Sequence, residues 1–190
     1  MIIALDGLAG SGKGTVARLL AKEIGWPYLD VGLVFRFVTW YGDKFGKGAR
    51  YKKDGTIIYR DEVCELRSET YALKAAEEAA RNFDGLAEVA RRLTKQWPNF
   101  VCDGRGAGTA IFKADFLFCL ETSEAERASR RANQTRVSYE EALEAIRERD
   151  RRDRERNQHP FRIPVSAIVI NTSLLSPDEC VAKIRGIVET

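Results

Sequence analysis

The stretch that decides the fold is GLAGSGKGT, residues 7–15, close to the amino terminus of the chain. Its spacing, G-x-x-x-x-G-K between a short apolar run and a segment of helical composition, is that of a phosphate-binding loop. Glycines let backbone N–H groups turn inward around a phosphate, and the helix N-terminus adds a favourable dipole. A glycine-rich turn without a ligand is the alternative, but the lysine and the flanking elements favour the loop. The candidate phosphate-binding residues are Gly7, Leu8, Ala9, Gly10, Ser11, Gly12, Lys13, Gly14 and Thr15.

Five short apolar runs predict the strands of a parallel sheet. They are continuous rather than alternating, a pattern that suits strands buried on both faces. The helical stretches between them give a β-α-β rhythm and therefore an α/β fold class. The runs are 2–5, 28–30, 100–102, 116–120 and 167–170.

Three helix starts carry the capping-box pattern, in which a serine is followed three residues later by a glutamate. The serines are Ser123, Ser138 and Ser176. They predict helices over 124–134, 139–156 and 177–189.

The middle of the chain predicts a hairpin and one long helix. Residues 51–60 form the hairpin, because Asp54-Gly55 supplies a turn between two apolar runs. Residues 69–95 are helical in composition, with a break near 82–85.

Two further segments place charged side chains at the carboxyl ends of predicted strands. Arg36 lies about one helical turn past the strand at 28–30, and Asp103 and Arg105 follow the strand at 100–102. Open α/β sheets bind ligands at the carboxyl ends of their strands. We therefore expect Lys13, Arg36, Asp103 and Arg105 to meet at one rim, although surface ion pairs could also explain the two arginines.

The helix that starts after Ser138 changes character along its length. Its first half has an apolar face that ends at Ile146, and residues 147–156 then read RERDRRDRER. We expect the first half to pack on the core and the second half to project into water, as the stem of a lid.

Arg149, Arg152, Asp153 and Arg156 share one face of this helix, at i, i+3, i+4 and i+7. A lid face that closes over a nucleotide and excludes water is the functional interpretation. The alternative is a solvated helix crossed by i,i+4 ion pairs, namely Arg149–Asp153, Glu148–Arg152 and Asp150–Arg154.

The composition indicates one soluble globular domain over 1–190. Apolar residues make up 44% of the chain and charged residues 31%, and the formal net charge of +3 is too small to indicate nucleic acid. Apolar runs stay well short of the roughly 18 residues of a membrane span, so we expect no membrane partner and a cytoplasmic location. We also expect a monomer.

Cysteine and histidine are not expected to carry chemistry in this chain. The four cysteines form no C-x-x-C pair, so neither a zinc site nor a redox motif is indicated. The single histidine, His159, precedes Pro160 in a predicted loop, and histidine-based acid–base catalysis is not expected.

These segments together resemble the cytidylate kinases. The general loop pattern has Ser or Thr directly after the lysine, whereas the G-K-G-T form here is similar to that of many nucleoside monophosphate kinases. The short central region is similar to the compact archaeal type, and the Arg/Asp-rich lid stem to the bacterial type. The matching segments are 7–15, 29–36, 103–109, 149–156 and 169–176.

The resemblance implies a P-loop fold of three layers, with a five-stranded parallel sheet, an acceptor-binding insert at 46–97 and a lid at 147–166. Residues 7–15 would bind ATP, and Lys13, Arg105, Arg149 and Arg156 would be catalytic. Arg36, Arg105, Arg149 and Asp153 would bind the acceptor, CMP or dCMP. Mg²⁺ would accompany ATP, with Thr15 as a ligand and Asp103 as a holder of its water.

The chain departs from the bacterial pattern at the positions that contact the acceptor. Val31 replaces a serine, Gly106 replaces an aspartate, and the serine and arginine that read cytosine have no clear counterpart between 72 and 92. Arg67, Ser68 or Glu69 could take over the reading of the base.

Other functions stay open on the sequence alone. A kinase for UMP or AMP is one alternative. A second is an RNA-associated P-loop ATPase that uses the arginines of 147–156, although acidic residues interleave them and no aromatic platform is evident. A non-catalytic nucleotide-binding module is the third, which intact Lys13, Arg36 and Arg105 argue against.

Overall fold

A five-stranded parallel sheet forms the centre of the chain, in a computed structural model that describes residues 1–66, 68–155, 157 and 159–189. A separate three-stranded antiparallel sheet lies beside it. In chain order, the elements are β1 (Ile2–Asp6), α1 (Lys13–Glu23), β2 (Tyr28–Asp30), α2 (Val31–Tyr41), β3 (Ala49–Tyr51), β4 (Ile57–Tyr59), β5 (Glu62–Val63), α3 (Glu69–Thr94), β6 (Phe100–Asp103), β7 (Phe116–Glu121), α4 (Glu124–Thr135), α5 (Tyr139–Glu155), β8 (Ile168–Asn171) and α6 (Pro177–Val188).

The central sheet has the strand order β2-β6-β1-β7-β8, and all of its pairings are parallel. Its registers pair Leu5 and Asp30 with Asp103, so β1, β2 and β6 end side by side. The polar residues that end these strands therefore meet at one edge, which is where the first helices of the fold also begin.

The apolar runs form strands because both of their faces are covered. Ile3, Ala4 and Leu5 of β1 are fully buried, and apolar clusters lie on each side of the sheet. One cluster includes α2 and α3, and the other includes α1 and α6. The five predicted strands and the α/β class are thus confirmed.

The capping boxes mark the helix starts as predicted. The hydroxyl groups of Ser123, Ser138 and Ser176 accept hydrogen bonds from the backbone N–H three residues on, at 3.1–3.2 Å. Such a bond satisfies one of the donors that a helix start leaves without a partner. Helices α4, α5 and α6 begin directly after these serines.

The insert consists of the small sheet and the long helix α3. The hairpin turns at Asp54-Gly55 as predicted, and a third short strand, β5, extends it beyond the prediction. The predicted break in α3 falls at Asn82, whose φ of −142° is not helical. The backbone N–H of Tyr28 donates to the carbonyl of Lys53 at 2.8 Å, which joins the hairpin to the edge of the central sheet.

The second half of α5 differs from the prediction, because it packs against the protein rather than projecting into water. Asp150 and Asp153 are only 3% and 8% exposed. Asp150 pairs with Arg127 of α4 and Asp153 with Arg105, which follows β6. The two buried carboxylates are therefore neutralised by arginines that are distant in the sequence, which offsets the cost of burying them.

Among the residues described, no helix is both long and apolar enough to cross a membrane.

Candidate active site

The phosphate-binding loop joins β1 to α1 as predicted. Gly12 is the N-cap residue of α1 and has a φ of +88°, a left-handed conformation that side chains rarely adopt. A residue that follows β8 also holds the loop, since the Thr172 hydroxyl donates a hydrogen bond to the carbonyl of Ser11 at 3.3 Å. Backbone N–H groups at the start of α1 are thus available to an anion.

Lys13 lies over this loop as the first residue of α1. Its Nζ donates to the carbonyl of Leu8 at 3.3 Å. Burial and, to a lesser extent, the positive charge of Arg105 lower the pKa of Lys13 to about 8, against the opposing effect of Asp103 and Asp6. The ammonium group is therefore only partly neutralised by its neighbours and can attract a phosphate.

Asp6 ties the loop to the segment that carries Arg105. Its two carboxylate oxygens accept backbone hydrogen bonds from Gly7 at 2.8 Å and from Gly106 at 2.7 Å. Burial raises the pKa of Asp6 although both bonds favour its charged form. The residue that replaces the family's aspartate, Gly106, contributes its backbone to the site.

Asp103 lies next to the loop at the end of β6. Its Oδ1 accepts a hydrogen bond from the Tyr28 hydroxyl, and its Oδ2 would lie 3.5 Å from a Cβ built on Gly14. Burial, helped by the charge of Asp30, raises the pKa of Asp103 to about 6, so the group is still mainly a carboxylate at pH 7. Oxygen ligands of this kind suit Mg²⁺, which keeps several waters and binds one or two carboxylates together with substrate phosphates.

A cavity of about 240 Å³ opens from Lys13 between α2, α3 and α5. Among the residues that the structure describes, its charged lining consists of five cations and four carboxylates, namely Lys13, Arg36, Arg105, Arg149 and Arg152 with Asp30, Glu69, Asp103 and Asp153. The walls are apolar, formed by Val31 and Phe35 of α2 on one side and by a row of alanines on α3 on the other. That row consists of Ala72, Ala75, Ala76 and Ala79.

Arg36 reaches the cavity from α2. It lies 3.7 Å from Asp30, which is itself the N-cap residue of α2. The Nε atom of Arg36 is buried, and among the described residues it has no hydrogen-bond partner. A buried guanidinium with a donor left over is suited to bind a phosphate.

Two ion pairs join α5, which carries the predicted lid residues Arg149 and Asp153, to residues that line the cavity. Arg105 Nε lies 2.7 Å from Asp153 Oδ2, and Arg149 Nη1 lies 3.6 Å from Glu69 Oε2. Burial and, to a lesser extent, the charge of Arg105 lower the pKa of Arg149 to about 10. Three arginines, Arg36, Arg105 and Arg149, therefore converge on the cavity.

Comparisons with known proteins show which family the chain belongs to. A family model described as cytidylate kinase matches in two segments, residues 3–70 and 55–190, which meet in the insert. The chain is 32% identical to a cytidylate kinase of Aquifex aeolicus, with 99% of this chain and 96% of the relative covered. It is 35% identical to a cytidylate kinase of Carboxydothermus hydrogenoformans, with 99% and 97% covered. The chain belongs to the cytidylate kinase family.

Solved structures support the fold. A shikimate kinase from Acinetobacter baumannii, solved with shikimate, has a TM-score of 0.51 at 19% identity, with 99% of this chain and 93% of that chain covered. An uncharacterized protein from Eubacterium ventriosum has a TM-score of 0.60 at 14% identity, with 100% and 99% covered. The P-loop fold class expected from the cytidylate kinase resemblance is thus confirmed.

Within this cytidylate kinase family member, six of the predicted site residues meet at one cavity. Lys13, Arg36, Asp103, Arg105, Arg149 and Asp153 all line it. Thr15 is exposed on the first turn of α1. Arg156, predicted to be catalytic, lies outside the described residues, as does Arg67, a candidate for reading the base.

The predicted ion pairs of a solvated helix are only partly present. Glu148 and Arg152 pair at 3.0 Å, as the alternative interpretation expected. Asp153, however, pairs with Arg105 in the turn after β6, Asp150 pairs with Arg127 of α4, and Arg149 lies near Glu69 of α3. The face that carries Arg149 and Asp153 therefore belongs to the cavity and not to the solvent.

Sequence reasoning named Glu69 only as a candidate reader of the base, and it gave no site role to Tyr28, Arg127 or Arg131. Glu69 binds Arg131 at 3.1 Å as well as Arg149, so that α3, α4 and α5 meet at one carboxylate. Tyr28 positions Asp103, and Arg127 supports the loop. For Arg127 and Arg131 the sequence did contain a signal, because α4 carries arginines at 127, 130 and 131, spaced i, i+3 and i+4 on one face.

The lowered pKa of Lys13 predicts a pH dependence for donor binding. In the free enzyme Lys13 is charged below about pH 8 and becomes neutral above it, so kcat/KM for ATP should fall as the pH rises past 8. The fall in kcat should occur at higher pH, because bound phosphates favour the charged lysine. Initial rates between pH 6 and pH 10 give the pH profiles of both kcat/KM and kcat. A kcat/KM for ATP that stays level to pH 9.5 would contradict the prediction.

Arginines on opposite faces of α5 should differ in their effect on turnover. Arg149→Ala should lower kcat about tenfold or more, because it removes a partly buried charge beside the reacting phosphates. Arg151→Ala should change kcat less than about twofold, since Arg151 is exposed and pairs only with Glu148 and Glu155 among the described residues. We predict the same loss for Arg156→Ala as for Arg149→Ala. Equal, small effects in steady-state assays of all three variants would favour the solvated helix.

Proposed function

We propose that the chain transfers the γ-phosphoryl group of ATP to CMP, and to dCMP, giving the nucleoside diphosphate and ADP. The observation that carries this proposal is the cavity that joins Lys13 of the phosphate-binding loop to three arginines in a member of the cytidylate kinase family. Lys13 and the loop would hold the donor phosphates, and the arginines would hold the acceptor phosphate.

The site does not need a general base for this reaction. A phosphate monoester has its second pKa near 6, so the acceptor is mainly a dianion at pH 7 and is already a nucleophile. The main obstacle is the repulsion between two polyanions, and Arg36, Arg105 and Arg149 would reduce it. Arginines hold phosphate oxygens in fixed positions and stay charged, which aligns the two substrates for transfer.

The residues present fit a Mg²⁺ ion bound together with ATP. When bound, the ion would supply positive charge that offsets the charge of the donor phosphates. We propose Thr15 as a ligand and Asp103 as the residue that holds a water of the ion. Asp6 is a poorer candidate, since both of its oxygens already accept backbone hydrogen bonds.

A second cavity, of about 380 Å³, suits the nucleoside of the donor. It borders the phosphate-binding loop at Leu8 and Ser11, on the side of β7 and β8. Thr122, Asn171 and Phe161 line it, so it offers hydrogen-bonding groups and an aromatic ring to a base and a sugar. Donor and acceptor would then approach each other across Lys13.

The arginine-rich segment is a weak candidate for an RNA-binding arm. Arg147 pairs with Glu124 at 2.9 Å, Arg149 with Glu69, and Arg151 with Glu148 and Glu155. Such pairs reduce the net positive potential that a phosphate backbone requires. We propose that the protein acts on free nucleotides, as a monomer in the cytoplasm.

A panel of acceptors tests the proposal and its specificity. With ATP and Mg²⁺, CMP should have the highest kcat/KM, dCMP should be close behind, and UMP should be measurably used. Binding to the phosphate is common to all of them, whereas the walls near Phe35 and the α3 alanines offer no hydrogen bonds from side chains to a base. Each lost base-reading group forfeits roughly 1–3 kcal/mol of discrimination.

The rates of ADP release with CMP, dCMP, UMP and AMP show which acceptor the enzyme prefers and by how much. A preference for AMP would overturn the cytidylate assignment. A CMP preference above about a thousandfold would mean that another group reads the base. Glu69 is then the first residue to change, because it lies on the cavity and a carboxylate can accept a hydrogen bond from the amino group of cytosine.

A further inference from the structure

Arg127 is a buried arginine that contacts two different parts of the active site. Arg127 is 5% exposed on α4, outside the cavity that holds Lys13, but it lines the second cavity, which is proposed above for the donor nucleoside. Nη1 donates to the carbonyl of Ala9, in the phosphate-binding loop, at 3.0 Å. Nη2 lies 2.8 Å from Oδ2 of Asp150, which is 3% exposed on α5.

The hydrogen bond to Ala9 determines the direction of a neighbouring N–H group. The Ala9–Gly10 peptide is trans, so its carbonyl and its N–H point in opposite directions. With the carbonyl directed at Arg127, the N–H of Gly10 points away from α4. Backbone N–H groups of this loop are the donors that a phosphate requires, so Arg127 orients one of them.

The loop also rests directly on Arg127. A Cβ built on Gly10 would lie 3.0 Å from the Cβ of Arg127 and 3.1 Å from its carbonyl oxygen. The backbone of Gly10 therefore packs against α4 at a distance that leaves no room for a side chain. A shift of the loop on binding phosphate would act on α4 at this point.

Asp150 carries the contact on to the lid helix. It lies next to Arg149 and one helical turn from Asp153, which pairs with Arg105 in the cavity. Asp150 Oδ1 is buried and has no hydrogen-bond partner among the described residues. A purely structural position of this kind would be filled at least as well by apolar side chains, because a buried ion pair often gives no net stability over them.

We propose that Arg127 is a positioning residue that orients the Ala9–Gly10 peptide for the donor phosphates and, through Asp150, couples occupancy of the loop to the placement of Arg149 and Asp153. The inference rests on the proposed function only in taking ATP as the ligand of the loop. It assigns Arg127 and Asp150 no contact with the reacting atoms.

The decisive variant is the double replacement Arg127→Met with Asp150→Leu, which fills the site with apolar side chains. If the pair is only structural, this protein should be as stable as the wild type and should behave like it. If the pair couples the phosphate-binding loop to α5, the double variant should fold, but ATP should no longer slow hydrogen exchange in α5. Asp150 borders neither cavity, so Asp150→Asn tests only the link between Arg127 and α5. This single variant replaces the double variant in the experiment if the double variant does not fold.

Three measurements are made on the full chain: thermal unfolding, ATP affinity by calorimetry, and hydrogen exchange of amides 147–155 with and without ATP. In the wild type, ATP should slow exchange in this segment at least fivefold. In the double variant and in Asp150→Asn, that ratio should fall below twofold, and ATP affinity should drop about tenfold in the double variant alone. Glu124→Gln is the matched control, because the exposed Glu124–Arg147 pair also joins α4 to α5 without contacting the loop.

Retention of the wild-type exchange ratio in both folded variants would overturn the coupling and leave the pair a structural one. The proposed function fails in a different way, since it would show as a wild-type protein that does not phosphorylate CMP. A wild type that phosphorylates CMP while ATP leaves exchange in 147–155 unchanged would overturn this inference alone.

Discussion

Lys13→Ala should lower kcat by about 100- to 1,000-fold while the protein remains folded. Its ammonium group lies at the start of α1, at the junction of the phosphate-binding loop and the acceptor cavity. Removing one preorganised charge or donor from a developing transition state typically costs this much. Stability should change little, because burial lowers the pKa of Lys13 and the folded protein therefore gains little from its charge.

Lys22→Ala is the matched control, since Lys22 is an exposed lysine on the same helix. Circular dichroism and thermal unfolding should show the same folded state for both variants. Steady-state turnover of ATP and CMP then isolates the effect on the reaction. A Lys13→Ala enzyme within twofold of the wild-type kcat would refute the P-loop mechanism.

Arg105→Ala should lower kcat/KM for CMP by at least about a hundredfold, with little change in ATP affinity. Hydrogen bonds to charged groups contribute about 1.5–3 kcal/mol, or roughly 10- to 150-fold. The variant also leaves Asp153 in the cavity without the guanidinium that now lies 2.7 Å from it, and that carboxylate would repel the acceptor phosphate. The loss should therefore exceed that of Arg36→Ala, whose partner Asp30 also caps α2.

Arg50→Ala, at an exposed arginine of the insert, is the control for general effects of losing a charge. KM for CMP and the dissociation constant of ATP are measured separately for each variant. Loss of ATP affinity with an unchanged KM for CMP would show that the donor and acceptor sites have been reversed.

The sequence alone predicted the fold and one side of the site. Continuous apolar runs, capping serines and the glycine-lysine loop each act through interactions within a few residues, so they can be recognised in a linear pattern. The rim that joins Lys13, Arg36, Asp103 and Arg105 was predictable as well, because parallel strands end at one edge of the sheet.

The partners of the charged side chains could not be predicted in the same way. Helical spacing indicated i,i+4 pairs along residues 147–156, yet Asp150 pairs with Arg127 and Asp153 pairs with Arg105. A surface i,i+4 pair contributes only a few tenths of a kcal/mol. Packing of α5 against its neighbours therefore decides which partner each carboxylate takes.

Burial is the property that only the tertiary structure decided. Residues 147–156 carry the charge pattern of a solvated helix, yet Arg149 and Asp153 form part of the wall of a cavity once opposite charges from α3 and the end of β6 face them. The lowered pKa values of Lys13 and Arg149 follow from that enclosure. Local sequence determines which residues form a helix or a loop, whereas the dielectric surroundings of a charge depend on every element packed around it.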